Sequence, residues 1–123
     1  MNVAVVGVGY WGKNHAREYY QAGHKLIVCD LNKENVEYCR ANFGAEGIND
    51  YKQIIDDKKI KATSICTPNS THYNIAKGFL LEGKNILLEK PVSLNFNNAK
   101  ELALLSEKNN SIMAIGHIFR FNN

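Results

Sequence analysis

No apolar run in these 123 residues approaches the ~18 residues that a membrane-crossing helix needs. A membrane span is therefore not expected. Cysteine is scarce as well. Cys29, Cys39 and Cys66 form an odd set whose spacing matches no zinc pattern. Neither a disulfide framework nor a cysteine-built metal site is expected. Cys29 and Cys66 close apolar runs, as buried reduced thiols do, which points to a reducing, cytoplasmic setting. Charge of one sign is also lacking: 15 basic against 12 acidic residues leave a net +3. The densest basic run, Lys58-Lys59-Ile60-Lys61, precedes a strand-like segment and reads as a solvated loop, not a nucleic-acid patch. Asn2 opens a short strand-like run with no basic segment before it, so no secretory leader is expected. Repeats, linkers and low-complexity tracts are missing. What remains has the composition of one globular domain, long enough to bury roughly two-thirds of its unfolded surface.

Strand and helix patterns alternate along the chain. Strands are expected over residues 2–6, 25–30, 62–66, 85–88 and 112–115, with a short one around Ile48. Helices are expected from Trp11 to Ala22, over 33–42 behind an Asn32 cap, over 51–57 behind Asp50, and over 96–108 behind Asn95. A further helix, capped by Ser70 or Thr71, carries Ile75, Ala76, Phe79 and Leu80 at the spacing of a buried stripe and stops at Gly83. This order argues for an α/β fold: a doubly wound parallel sheet in three layers, with right-handed crossovers. Ligands on such sheets bind beyond the carboxyl ends of the strands.

The first strand runs into Gly7-Val8-Gly9-Tyr10-Trp11-Gly12, and Asp30 ends the second strand. G-x-G-x-x-G alone is weak, but a preceding strand, a following helix and a distal acid make a dinucleotide-binding signal. Gly7 permits the tight turn, Gly9 lets the backbone approach a pyrophosphate, and Gly12 lets helix and strand pack closely. Tyr10 and Trp11 either cover that loop or pack one ring into the core. The Asp30 carboxylate suits the two ribose hydroxyls of NAD and repels the 2′-phosphate of NADP, so NAD is the preferred cofactor; the alternative is a plain helix cap. His15, one turn into the first helix, reads as structural.

Two further loops fall at the ligand end. Thr67-Pro68-Asn69-Ser70-Thr71-His72 follows the fourth strand, where His72 can meet a sugar hydroxyl or the loop can be a mere capped turn. Glu89-Lys90-Pro91 follows the fifth, where a partly desolvated Lys90 can move a proton or can be a solvated charge. Lys90-Pro91 is a candidate cis peptide. After the last strand come His117 and Arg120, either weak substrate contacts or terminal surface groups.

Together GVGYWGKNH at 7–15, CD at 29–30, TPNSTHY at 67–73, EKP at 89–91 and GHIFRFN at 116–122 resemble the glucose-fructose oxidoreductase / inositol dehydrogenase / rhizopine catabolism (Gfo/Idh/MocA) family. The GYWGKNH and GHIFRFN segments are most similar to the branch that oxidises nucleotide sugars, the UDP-N-acetylglucosamine 3-dehydrogenases. The resemblance implies an NAD-dependent enzyme that moves a hydride between a sugar, nucleotide-sugar or polyol carbon and nicotinamide. It implies nucleotide contacts for Thr67, Pro68 and Asn69, Glu89 near the nicotinamide ribose, His72 near the nicotinamide end, and Lys90 at the reacting hydroxyl. Family members continue into a second domain with most of the substrate pocket, the oligomer interface and usually a D-x-x-x-H motif. The chain is accordingly expected to be a dinucleotide-binding domain over 1–117 with the beginning of that second domain at 118–123, inactive by itself. Two alternatives stay open: a stand-alone NAD(H)-sensing module, and a family member that uses NAD transiently as a glycosidase or dehydratase.

Overall fold

A computed structural model of the chain describes residues 1–117. Six strands form one sheet: β1 (Asn2–Val6), β2 (Lys25–Cys29), β3 (Glu46–Ile48), β4 (Ile60–Ile65), β5 (Asn85–Glu89) and β6 (Met113–Gly116). Their order is β3-β2-β1-β4-β5-β6 and every pairing is parallel. Between them run α1 (Tyr10–Gln21), α2 (Lys33–Phe43), α3 (Tyr51–Asp56), α4 (His72–Leu81) and α5 (Phe96–Lys108). This is the doubly wound Rossmann arrangement, with the order reversing between β1 and β4.

The central strands are apolar on both faces because helices cover both. Along β1 and β2, Val3, Val5, Leu26 and Val28 face α1 and α2, where they meet Ala16, Val36 and Cys39. Their alternates Ala4, Val6, Ile27 and Cys29 face α3, α4 and α5, against Ile54, Ile75, Phe79 and Leu102. The expected α4 stripe of Ile75, Ala76, Phe79 and Leu80 is buried.

Three of the expected caps form. The side chains of Asn32, Asp50 and Asn95 accept from Glu34 N, Lys52 N and Asn97 N at 2.8–2.9 Å. At α4 the structure differs from expectation. A single 3₁₀ turn, Asn69–Thr71, leads into the helix, and neither Ser70 nor Thr71 supplies a side-chain cap. Thr71 N donates to the Pro68 carbonyl at 2.9 Å, and the Thr71 hydroxyl lies 2.7 Å from both that carbonyl and the Thr67 hydroxyl. The loop is therefore stitched to itself before the helix begins.

A candidate dinucleotide site at the carboxyl edge of the sheet

The glycine loop is anchored at both sides. Gly7 N donates to the Cys29 carbonyl on β2, and Cys66 N, past the end of β4, donates to the Val6 carbonyl, each at 2.8 Å. Gly7 has φ +82°, a left-handed conformation that side chains rarely accept. Gly9 caps α1 with no side-chain hydrogen bond, and no acid lies in the first turn. Among the described residues no side chain caps the first N–H groups of this 12-residue helix, which suit an anion. A Cβ on Gly9 would meet nothing within 4 Å, so the space beside the loop is open.

Asp30 lies where β2 meets this loop. Its Oδ2 accepts from Val8 N and its Oδ1 from Asn32 N, both at 2.7 Å. Each oxygen keeps a second lone-pair direction. The helix cap of α2 is Asn32, so Asp30 is not spent on that task. Beside it a groove of about 730 Å³ runs between the β2, β3 and β4 loops, lined by Asp30, Leu31, Asn49, Tyr51, Thr67 and Pro68. Leu31 is 98% exposed at its rim. An apolar side chain that open beside a pinned carboxylate suits the face of a nucleobase, and neither Leu31 nor Tyr51 carried a sequence signal.

Beyond the β1/β4 reversal, the Lys90-Pro91 peptide is cis, as its sequence allowed. Lys90 is exposed, and no hydrogen bond to its ammonium group forms among the described residues. Of the two readings left open for it, the structure shows the solvated charge. Glu89 is only 15% exposed and bonds His15 Nε2 through Oε1 at 2.8 Å. His117 is exposed at the same edge, and Arg120 lies outside the described residues.

A family model described as "Oxidoreductase family, NAD-binding Rossmann fold" (Gfo/Idh/MocA) matches residues 1–117. The chain belongs to that family. UDP-N-acetylglucosamine 3-dehydrogenase of Acidithiobacillus ferrooxidans is 31% identical over 120 residues, 98% of this chain but 38% of that protein. Its crystal structure superposes with TM-score 0.89 at 32% identity, covering 98% of this chain and 38% of that one. Myo-inositol 2-dehydrogenase of Lactobacillus plantarum gives TM-score 0.91 at 30% identity, covering 100% of this chain and 38% of that one. Biliverdin reductase of Synechocystis, solved with biliverdin and NADP⁺, gives TM-score 0.89 at 26% identity, covering 98% and 39%. The chain thus spans less than two-fifths of these proteins. As a family member it is an NAD(P)-binding Rossmann domain of the oxidoreductase family.

Within this frame two histidines sit in different surroundings. His72 is fully buried, with Nδ1 2.7 Å from the Pro91 carbonyl and Nε2 2.8 Å from the Thr67 carbonyl. Both partners only accept, so the ring faces loop backbone on two sides. It ties the β4 loop to the β5 loop and offers no nitrogen to a nicotinamide or sugar. His15, expected to be structural, lies beside Glu89 and Ser64. Its signal was available: it shares the inward stripe of α1 with Ala16 and Tyr19, where a histidine needs polar partners. Tyr10 and Trp11 join no core; they are 78% and 50% exposed, edge to face at 5.3 Å.

The ligand atoms of His15, Cys66 and Glu89 lie within 4.8 Å of one another. The 2.8 Å between His15 and Glu89 is a direct hydrogen bond. It is shorter than the roughly 3.3 Å between two ligands each ~2.0 Å from one tetrahedral zinc.

The thiols are poorly ionised. Burial, then Glu89, pushes Cys66 from 9.0 up to about 12; burial, then Asp50 and Asp30, pushes Cys29 up to about 11. Raised folded values mean that the native state holds these protons more tightly than the unfolded chain. Their contribution to stability is intact below pH 9 and is lost as pH climbs towards 11–12. Both thiols are expected to resist iodoacetamide at neutral pH until denaturant is added; fast labelling of the native chain would contradict this.

Proposed function

We propose that this chain is the NAD-binding domain of a dehydrogenase acting on a secondary alcohol of a sugar or nucleotide sugar. The observation that carries this reading is the pinned Asp30 carboxylate beside an uncapped α1 and an open Gly9. The pyrophosphate would lie on the α1 N-terminus, the adenosine ribose on Asp30, and the base in the groove between Leu31 and Pro68. When bound, the nicotinamide supplies the hydride acceptor. Lys90, directly after β5 at the carboxyl edge of the sheet, is the group of this chain assigned to receive the alcohol proton. Bound cofactor and substrate would supply the desolvation that the free domain lacks. The nucleotide-sugar preference is supported by the 31% identity to the UDP-N-acetylglucosamine enzyme.

NAD should be preferred over NADP. Asp30 accepts one backbone N–H on each oxygen and still has lone pairs for the 2′- and 3′-hydroxyls. A 2′-phosphate removes that donor and adds like charge. Losing a charged hydrogen bond costs about 1.5–3 kcal/mol, so NADH should bind about 10–100-fold tighter than NADPH. Calorimetric titration of both cofactors tests this. Asp30→Ser should narrow the gap, and tighter NADPH binding to the unaltered chain would refute the role given to Asp30.

A further inference from the structure

Two carboxylates flank the glycine loop, on opposite sides of the β1/β4 reversal. Asp30 follows β2 and Glu89 ends β5. Strand alternation turns both towards the α1 side of the sheet. On β2, Leu26 and Val28 pack against α1 and α2, so Asp30 points the same way. On β5, Ile86 and Leu88 pack on the opposite side, which leaves Glu89 facing α1.

Each carboxylate is held by protein donors. Backbone N–H groups hold Asp30. Glu89 is held by a chain of side chains that starts on α1. The Tyr19 hydroxyl lies 2.7 Å from Ser64 Oγ, Ser64 Oγ lies 3.1 Å from His15 Nδ1, and His15 Nε2 lies 2.8 Å from Glu89 Oε1. A neutral imidazole that donates from Nε2 to a carboxylate accepts at Nδ1. Ser64 then donates to His15 and Tyr19 donates to Ser64. One direction satisfies every proton, and it sets the tautomer. Ser64 is fully buried, so this Ser-His-Glu array has no accessible nucleophile for acyl transfer. On the far side, a Cβ at Gly116 would come 3.1 Å from Oε1 and 3.3 Å from Oε2 of Glu89. The carboxylate therefore lies against β6, clasped between His15 and a glycine.

We propose that His15 is a positioning residue for the second ribose of the dinucleotide: it holds Glu89 Oε1 so that Oε2 accepts from that ribose's hydroxyls. A dinucleotide has a ribose on each side of its pyrophosphate. With the pyrophosphate at the α1 N-terminus, one ribose falls on the β2 side and the other on the β5 side. Asp30 serves the first, and Glu89, set by His15, serves the second. Ser64 and Tyr19 keep the imidazole from turning. This rests on the dinucleotide reading given above.

The test separates the two halves of the ligand. ADP carries the adenosine and both phosphates; ADP-ribose adds the second ribose. Calorimetry on the chain should give His15→Ala an affinity for ADP-ribose and NADH about tenfold weaker, with ADP changed by less than about twofold. Glu89→Gln should show the same split, and the double variant should be no weaker than either single one. His15→Gln, which returns an N–H donor on an arm of similar reach, should recover most of the loss. Equal weakening of ADP and ADP-ribose, or no weakening in a variant with unchanged melting temperature, would overturn the proposal. Should His15→Ala fail to fold, the near-isosteric Glu89→Gln decides it: unchanged ADP-ribose binding there overturns the proposal. A wild-type chain that binds neither ADP nor ADP-ribose would instead overturn the dinucleotide reading itself.

Discussion

Gly12→Ala is expected to break the fold, whereas Gly9→Val should leave it intact and empty the site. A Cβ on Gly12 would stand 1.9 Å from the Gly7 carbonyl oxygen and 2.8 Å from its carbon, both backbone atoms of the loop. No rotamer can relieve that overlap. Either α1 lifts from β1, uncovering Val5, Val8 and Ala16, or the Gly7 turn opens and loses its bond to Cys29. Overpacking of flexible side chains costs about 1–3 kcal/mol, and a clash with fixed backbone should exceed that, a large part of a typical 5–15 kcal/mol stability. Gly7→Ala should behave alike, since its Cβ would meet the Cys66 and Thr67 backbone at 2.8 Å and φ is +82°. At Gly9 there is only open space, so a valine costs the free protein little. It blocks the pyrophosphate, and NADH affinity should fall at least tenfold. Melting curves and calorimetric titrations of the two variants check both halves. A stable Gly12→Ala chain, or a Gly9→Val chain with full affinity, would count against the loop assignment.

Lys90→Ala should cut kcat of the whole protein by about 10²–10⁴, the usual worth of one positioned proton-transfer group. NADH affinity and melting temperature should hardly change, because Lys90 is exposed and no hydrogen bond holds its ammonium group among the described residues. Lys90→Arg should not restore the rate: a guanidinium keeps its proton and cannot accept another. Steady-state assays with NAD and a panel of nucleotide sugars measure this. An unchanged kcat would remove Lys90 from the chemistry, and raised KM with normal kcat would make it a binding residue only.

Much of the architecture is written in local patterns. The parallel sheet follows from strand–helix alternation with short loops. The helix starts at Lys33, Tyr51 and Phe96 follow from single Asn and Asp residues whose side chains accept from the backbone N–H two residues further along the chain. The glycine loop with Asp30 was equally legible, since strand, turn, helix and acid lie within one stretch of about 30 residues. The start of α4 was not. There Pro68 and the Thr71 hydroxyl close the loop on itself, and a backbone bond replaces the side-chain cap.

The histidines mark where local reading stops. His72 stands in a loop motif that suggests ligand contact, yet its two partners, Thr67 and Pro91, belong to the ends of two different strands. His15 sits on a helix that suggests packing, yet Ser64 and Glu89 come to it from β4 and β5, 49 and 74 residues away in the chain. The strands, every helix start but that of α4, the glycine loop and the carboxylate after β2 are legible in the chain alone, because each depends on periodicity or on neighbours a few residues apart. Which imidazole is walled in and which one holds a carboxylate at the open edge was decided only by the tertiary structure. A buried polar ring must take whatever donors and acceptors the sheet order brings to it.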